Sequence, residues 1–296
     1  ELQILQVLLF LVIYLGALTG NLLTVIVTDT KLYSPMYFFL GNLSLIDLCC
    51  ISVNVPKIIV NSLTGSNLIS LPACAAQIFL FIFLVFTEGL LVVMSYDRYV
   101  AICHPLHYGL IITPCLCTTA AGGSWAGGLV YSALHTGVMF RLPFTESNVI
   151  HQYFCDVPQI LRISSSDVQF SEFMALALST CFLAAFSVLL LKSYVEIFSV
   201  VLRMCSVEAS NKALSTCTQQ SAILIFFLAS GLIAFFGPAE NKASFSSLIT
   251  AVLYSMVPPL INPIIYSLWN REIETALCRM FHRYMFLNMN ISQLKI

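Results

Sequence analysis

Charge is scarce in this sequence. Asp, Glu, Lys and Arg make up 9% of its 296 residues, against 59% hydrophobic ones, whereas soluble domains carry about a quarter charged residues. That balance excludes a soluble globular chain and leaves a polytopic membrane protein. Basic runs are absent, and a formal net charge of −1 offers no phosphate-binding stripe, so nucleic acid is excluded as a partner. No CxxC pair occurs among the eleven cysteines. Most of them lie in apolar stretches, where a free thiol behaves as a small buried hydrophobe, and no zinc site is expected. His104, His107, His135, His151 and His282 do not share a helix face, and no catalytic constellation accompanies them. An enzyme is therefore not expected, nor an organic cofactor. No repeat relates two halves of the chain, which weighs against a transporter. Glu1 stands close to an apolar run, so no signal peptide is expected.

What is present is length of apolar chain. Segments able to cross about 30 Å of hydrocarbon fall at roughly 5–28, 35–63, 73–98, 116–140, 170–202, 213–237 and 245–268, within one domain spanning 1–296. Polar stretches rich in helix breakers separate them. Lys31, Arg98, Arg203, Lys212, Arg271, Arg279, Arg283 and Lys295 fall on one side; Lys57, Arg141, Arg162 and Lys242 fall on the other. The basic excess places the C-terminus in the cytoplasm and the N-terminus outside, in the plasma membrane. Glu272 to Tyr284 interleaves Ile273, Leu277, Met280 and Phe281 with Arg279 and Arg283, a pattern for a short amphipathic helix, about 270–284, on the cytoplasmic leaflet. Gly122, Gly123, Gly127 and Gly128 surround Trp125 in the fourth span and predict close helix packing rather than a site.

Met94-Ser95-Tyr96-Asp97-Arg98-Tyr99-Val100-Ala101-Ile102-Cys103 closes the third apolar segment with an acid beside a base. A charge at the edge of hydrocarbon needs a partner in every state, so Arg98 is either a latch that exchanges partners or half of a salt bridge that fixes helix depth. Continued through His104-Pro105-Leu106-His107-Tyr108, the stretch resembles the third-helix signature of odorant receptors, a group of rhodopsin-like G-protein-coupled receptors. Pro35-Met36-Tyr37-Phe38-Phe39-Leu40, Ser193-Tyr194-Val195-Glu196-Ile197, Asn211-Lys212-Ala213-Leu214-Ser215-Thr216-Cys217 and Pro258-Pro259-Leu260-Ile261-Asn262-Pro263-Ile264-Ile265-Tyr266 are similar to further motifs of that family.

The resemblance implies an all-α membrane protein: a seven-transmembrane helix bundle with a G-protein site at Arg98 and an odorant pocket in the outer half. Coupling and switching would fall to Asp97, Arg98, Tyr99, Tyr194, Lys212, Asn262, Pro263 and Tyr266. Asn21, Asp47, Glu88 and Asn262 would face one another in a central polar cluster. Two carboxylates in a dry bundle share a proton or hold a cation such as sodium, with Asp47 and Glu88 as its ligands; a purely structural hydrogen-bond knot is the alternative. Cys74 and Cys155 stand outside, where an oxidising compartment favours a disulfide, and the family pairs these positions. The pocket would be lined by Phe81, Leu84, Val85, Leu178, Phe182, Leu228, Gly231, Phe235 and Ser255, none of them charged, so a small hydrophobic volatile is the expected ligand.

The sequence departs from the family's pattern in four places. Thr145 and Ser165 replace a second pair of loop cysteines, Gln220 stands where His is usual, and Trp269 where Arg is usual. Arg98 follows Cys74 by 24 residues, one fewer than the family implies, a deficit worth about 100° of helix rotation. These departures keep a functionally impaired receptor open beside a signalling receptor of the stimulatory, cAMP-raising type. A transporter or channel is less favoured.

Overall fold

A computed structural model describes residues 2–31, 34–64, 68–87, 89–140, 149–151, 155, 190–203, 256–270 and 272–280, with isolated positions between 170 and 229 and at 282. The first two helices, α1 (Leu2–Lys31) and α2 (Pro35–Thr64), pack along each other. Pro35 occupies the first turn of α2, where the missing N–H would have had no intrahelical partner. The short strand β1 (Leu68–Ser70) leads into α3 (Leu71–Thr87), which is followed by α4 (Leu90–Cys103).

The third apolar segment is thus one path built from two helices. Between them Gly89 N bonds Phe86 O and Val92 N bonds Gly89 O, both at 3.0 Å, a tighter winding than the α-helical step of four. A 3-10 turn (Pro105–His107) and the single turn α5 (Tyr108–Ile111) then carry the chain to α6 (Pro114–Met139). Thr113 caps α6, its hydroxyl accepting from Leu116 N at 3.2 Å, one of the otherwise orphaned donors of a helix start. Strand β2 (Val149–His151) pairs antiparallel with β1, Ile150 opposite Ile69. Residues 190–202 form α7, Val257–Trp269 form α8, and 272–280 form α9.

Leu43, Ile46, Leu84, Leu90, Leu91, Val100 and Cys117 form the principal core, where α2, α3, α4 and α6 meet. Phe10 and Ala17 of α1, Ile51, Val55 and Ile58 of α2 and Met256 just before α8 form a second. Leu5, Leu8, Val12 and Leu15 on α1 and Val130 and Leu134 on α6 turn outward, an apolar surface suited to lipid. Three helical stretches are long and apolar enough to cross a membrane among the described residues: Ile4–Asp29, Pro35–Thr64 and Leu71–Cys103.

Small residues set the closest approaches. A Cβ on Gly20 would sit 3.0 Å from the Pro263 ring, and one on Gly41 2.9 Å from Thr28 Oγ1. Of the four glycines around Trp125, Gly127 and Gly128 do face a neighbouring helix, where an added Cβ would sit 3.1 Å from Phe86 and 3.0 Å from Phe83, but at Gly122 and Gly123 it would meet nothing within 4 Å among the described residues. The packing expectation holds for the second pair only; the first is exposed.

Candidate functional site

At one end of the bundle the acid and base of α4 are held unequally. Asp97 is buried and Arg98 is partly exposed, with Arg98 Nη2 3.5 Å from Asp97 Oδ2. The other carboxylate oxygen is taken by Tyr108, whose hydroxyl donates to Asp97 Oδ1 at 2.7 Å. Burial and that bond to Asp97 both push the Tyr108 phenol well above its ordinary range, so it remains a donor at physiological pH. Asp97 therefore keeps a hydrogen-bond donor whether or not Arg98 stays beside it.

Around this pair α7 closes in. Tyr194, Ile197 and Val201 pack with Cys217 against Tyr99, Ile102 and Cys103, and Tyr194 Oη lies 3.4 Å from Ser95 Oγ. Tyr99 Oη is 3.2 Å from His104 Nε2. Tyr99 is thus one face of the contact between α4 and α7, and Arg98 is its chain neighbour. Lys212 lies outside the described residues, and of Tyr266 only the helical backbone is described.

Midway along the bundle, Asn262 Nδ2 donates to Asp47 Oδ2 at 2.9 Å, and both residues are buried. Asn21 reaches the same helix differently, donating to Ala17 O at 3.0 Å and Pro259 O at 2.7 Å. Pro259 O is the carbonyl that Pro263, four residues on and lacking an N–H, leaves without its helical donor. Asn21 supplies that donor, which explains an amide in the middle of α1. Three members of the expected cluster therefore converge, Asp47 and Asn262 directly and Asn21 through the backbone; Glu88 lies outside the described residues. Asp47 Oδ1, Ser44 Oγ and Asn21 Oδ1 are buried without a hydrogen-bond partner among the described residues, an unsatisfied acceptor set of the kind that hydrates or holds a cation.

At the opposite end, Cys74 of α3 and Cys155 form a disulfide, with their Cα atoms 5.3 Å apart. The backbone N–H of Cys155 also donates to Gln77 Oε1 at 3.1 Å, and Gln77 Nε2 donates to Asn54 Oδ1 of α2 at 3.2 Å. The segment carrying Cys155 is thereby pinned to α3 covalently and to α2 through one buried amide. Among the expected pocket residues, Phe81 and Val85 are half-buried on α3, and Leu84 is 2% exposed within the principal core. Leu178, Phe182, Leu228, Gly231, Phe235 and Ser255 lie outside the described residues.

Reading the residues alone missed Tyr108 and Gln77. Both had a signal: Tyr108 ends the quoted signature, and Gln77 stands three residues after Cys74, on the same helical face.

This arrangement can be set beside known proteins. Residues 7–284 match the family described as olfactory receptor. Human olfactory receptor 14I1 is 49% identical over 290 residues, covering 97% of this chain and 93% of its own. Human olfactory receptor 14J1 is 45% identical over 288 residues, 96% and 89% of the two chains, and rat olfactory receptor 1f45 is 40% identical over 278 residues, 93% and 89%. In three dimensions the chain is similar to the crystal structure of squid rhodopsin, with a TM-score of 0.70 at 17% identity over 95% of this chain and 85% of that one. With a matching family, a rhodopsin-type seven-helix fold and an acid–base pair where one helix end meets α7, the chain belongs to the olfactory receptor family: a multi-pass membrane receptor, not an enzyme.

Proposed function

We propose that this odorant receptor binds a small, mainly hydrophobic volatile at the disulfide end of the bundle and activates a stimulatory, olfactory-type G protein at the Arg98 end, raising cAMP. The observation that carries the reading is the unequal hold on Asp97 and Arg98. Asp97 is buried and retains Tyr108 as a donor, so Arg98 can leave it without stranding a buried carboxylate that lacks any hydrogen bond. Arg98 is the group free to exchange Asp97 for a partner from the G protein. On this reading the Arg98 end faces the cytoplasm, the N-terminus lies outside and the receptor works in the plasma membrane. The tail helix α9 then lies on the cytoplasmic side.

Phe81, Leu84, Val85, Leu178, Phe182, Leu228, Gly231, Phe235 and Ser255 are the proposed pocket. Of these, Leu84 is packed in the core and offers a ligand little surface. Sodium is proposed as an allosteric ligand at Asp47, with Glu88 as second carboxylate. The unsatisfied Asp47 Oδ1 and Ser44 Oγ suit a hard cation, which takes oxygen ligands.

The test is Arg98→Ala in cells screened for cAMP against a broad panel of volatiles. Agonist-driven cAMP should be abolished while the amount of receptor at the surface is unchanged. A mutant that responds as the wild type does would sink the assignment. A wild type that reaches the surface and answers no volatile would favour the impaired-receptor reading, which Thr145, Ser165, Gln220 and Trp269 motivate.

A further inference from the structure

Two parts of the chain more than two hundred residues apart meet at the Arg98 end of the bundle. Tyr37, in the first turn of α2, is 4% exposed, and its hydroxyl donates to Glu272 Oε2 at 2.6 Å. The same hydroxyl lies 3.4 Å from Asn270 Oδ1. That Asn270 oxygen also accepts from the backbone N of Glu272 at 3.1 Å and of Ile273 at 3.3 Å, so Asn270 is the N-cap of α9.

A second contact fixes α9 from its apolar side. Ile273 is fully buried and Ala276 nearly so. Ile273 belongs to the same core cluster as Tyr37, Val100 and Ile112, with Leu277 packed partly against it. Glu274, Cys278 and Arg279 are exposed on the other face. Tyr37 and Ile273 share their cluster with Val100, two residues after Arg98 on α4, which places this junction at the same end of the bundle as the proposed coupling residue.

A plain capping role for Asn270 explains where α9 starts, but not what holds it against α2. A helix outside the bundle draws most of its stability from the face it packs, so its placement depends on what docks it. The bond from Tyr37 is the polar part of that docking, and a bond to a carboxylate is among the stronger kinds.

We propose that Tyr37 and Glu272 are positioning residues for G-protein engagement: their hydrogen bond clamps α9 to the ends of α2 and α4, and the clamped α9 completes the surface on which the G protein is activated. The proposal deepens the receptor reading and rests on it. Neither residue touches the exchanging charge pair; both act through the position of α9.

The test is a double-mutant cycle in the full-length receptor with Tyr37→Phe, Glu272→Ala and the two combined. Tyr37→Phe removes one hydroxyl and keeps the buried ring. Amide hydrogen exchange over 272–280 in purified receptor reads the docking directly. Each single variant should lose about tenfold in protection, and the double variant should lose about the same tenfold, because all three remove one bond. Glu272→Gln keeps an acceptor oxygen and should restore most of the protection. Maximal cAMP at matched surface levels should fall in the same non-additive pattern, with agonist EC50 little changed.

Unchanged exchange in the single variants, or losses that multiply in the double, would overturn the clamp. Lost protection with undiminished maximal cAMP would overturn its role in coupling. A wild type without agonist-driven cAMP fails the receptor reading itself; a responding wild type whose variants signal equally well fails this proposal alone.

Discussion

Tyr108 donates to the oxygen of Asp97 that Arg98 does not use, so its hydroxyl supports the buried carboxylate when Arg98 leaves. A hydrogen bond to a charged group contributes about 1.5–3 kcal/mol. Tyr108→Phe removes that bond and keeps the ring, so Asp97 then depends on Arg98 alone, and the expected outcome is tighter retention of Arg98 and weaker agonist-driven cAMP. Agonist-driven cAMP at the wild-type level, with surface receptor matched, would show that Tyr108 does not ease the release of Arg98. Asp47 makes a different residue-scale prediction. If its free oxygen meets sodium, agonist EC50 should shift when sodium chloride is replaced by choline chloride, and Asp47→Asn should abolish that shift while keeping an oxygen that Asn262 can donate to. Equal sodium dependence in the two receptors would remove Asp47 from the ion site. At this scale the sequence was partly legible. Asp47, Asn262, Asp97 and Arg98 stand out because charge and amide are rare in apolar chain. Gln77 and Tyr108 did not, because their significance lies in partners that only the fold brings near: Asn54 and the Cys155 backbone for one, Asp97 for the other.

Helices α1 and α8 touch where Gly20 faces Pro263. The proline ring cannot rotate away, so Gly20→Ala forces the helices apart, a cost of about 1–3 kcal/mol for overpacking. Gly137 on α6 has nothing within 4 Å among the described residues, and Gly137→Ala should be neutral or stabilise by up to about 1 kcal/mol, since alanine is the better helix former. Thermal unfolding of the detergent-purified receptor should show a lower midpoint for the first variant only. Equal midpoints would mean that α1 and α8 are not in the contact described. Glycine positions were visible in the sequence, but which of them face a neighbour was not. Gly123 stands one turn before Gly127 on the same face of α6, yet it is exposed while Gly127 lies against Phe86, because where along its length a helix is approached depends on the neighbour and not on its own small residues. Helix starts were more legible: Pro35 and Pro114 open α2 and α6 for a reason that depends on the backbone alone.

Across the whole molecule, the disulfide end and the Arg98 end must act on each other through helices, and ligand chemistry tests whether the first is drawn correctly. Only Ser255 among the proposed lining residues offers a side-chain hydrogen bond, and none is charged. Burying roughly 200 Å² of apolar ligand at about 25 cal/mol per Å² gives about 5 kcal/mol before the costs of association, so micromolar or weaker potency is expected. Dose–response curves for neutral esters and alcohols should show activity that the matching carboxylates and amines lack. A strong response confined to the charged compounds would overturn this lining. The path between the two ends runs through the junction of α3 and α4, where two backbone bonds step three residues at 3.0 Å. Three residues wound in that way rise about 6 Å and turn about 360°, whereas four α-helical residues rise about 6 Å and turn about 400°. One tight turn thus substitutes for four ordinary residues with no loss of length and only about 40° of phase. A helical path that takes one such turn in place of four ordinary residues delivers its far end at nearly the same height and bearing, so the count of 24 residues from Cys74 to Arg98 does not by itself fix how the disulfide and the charge pair are oriented.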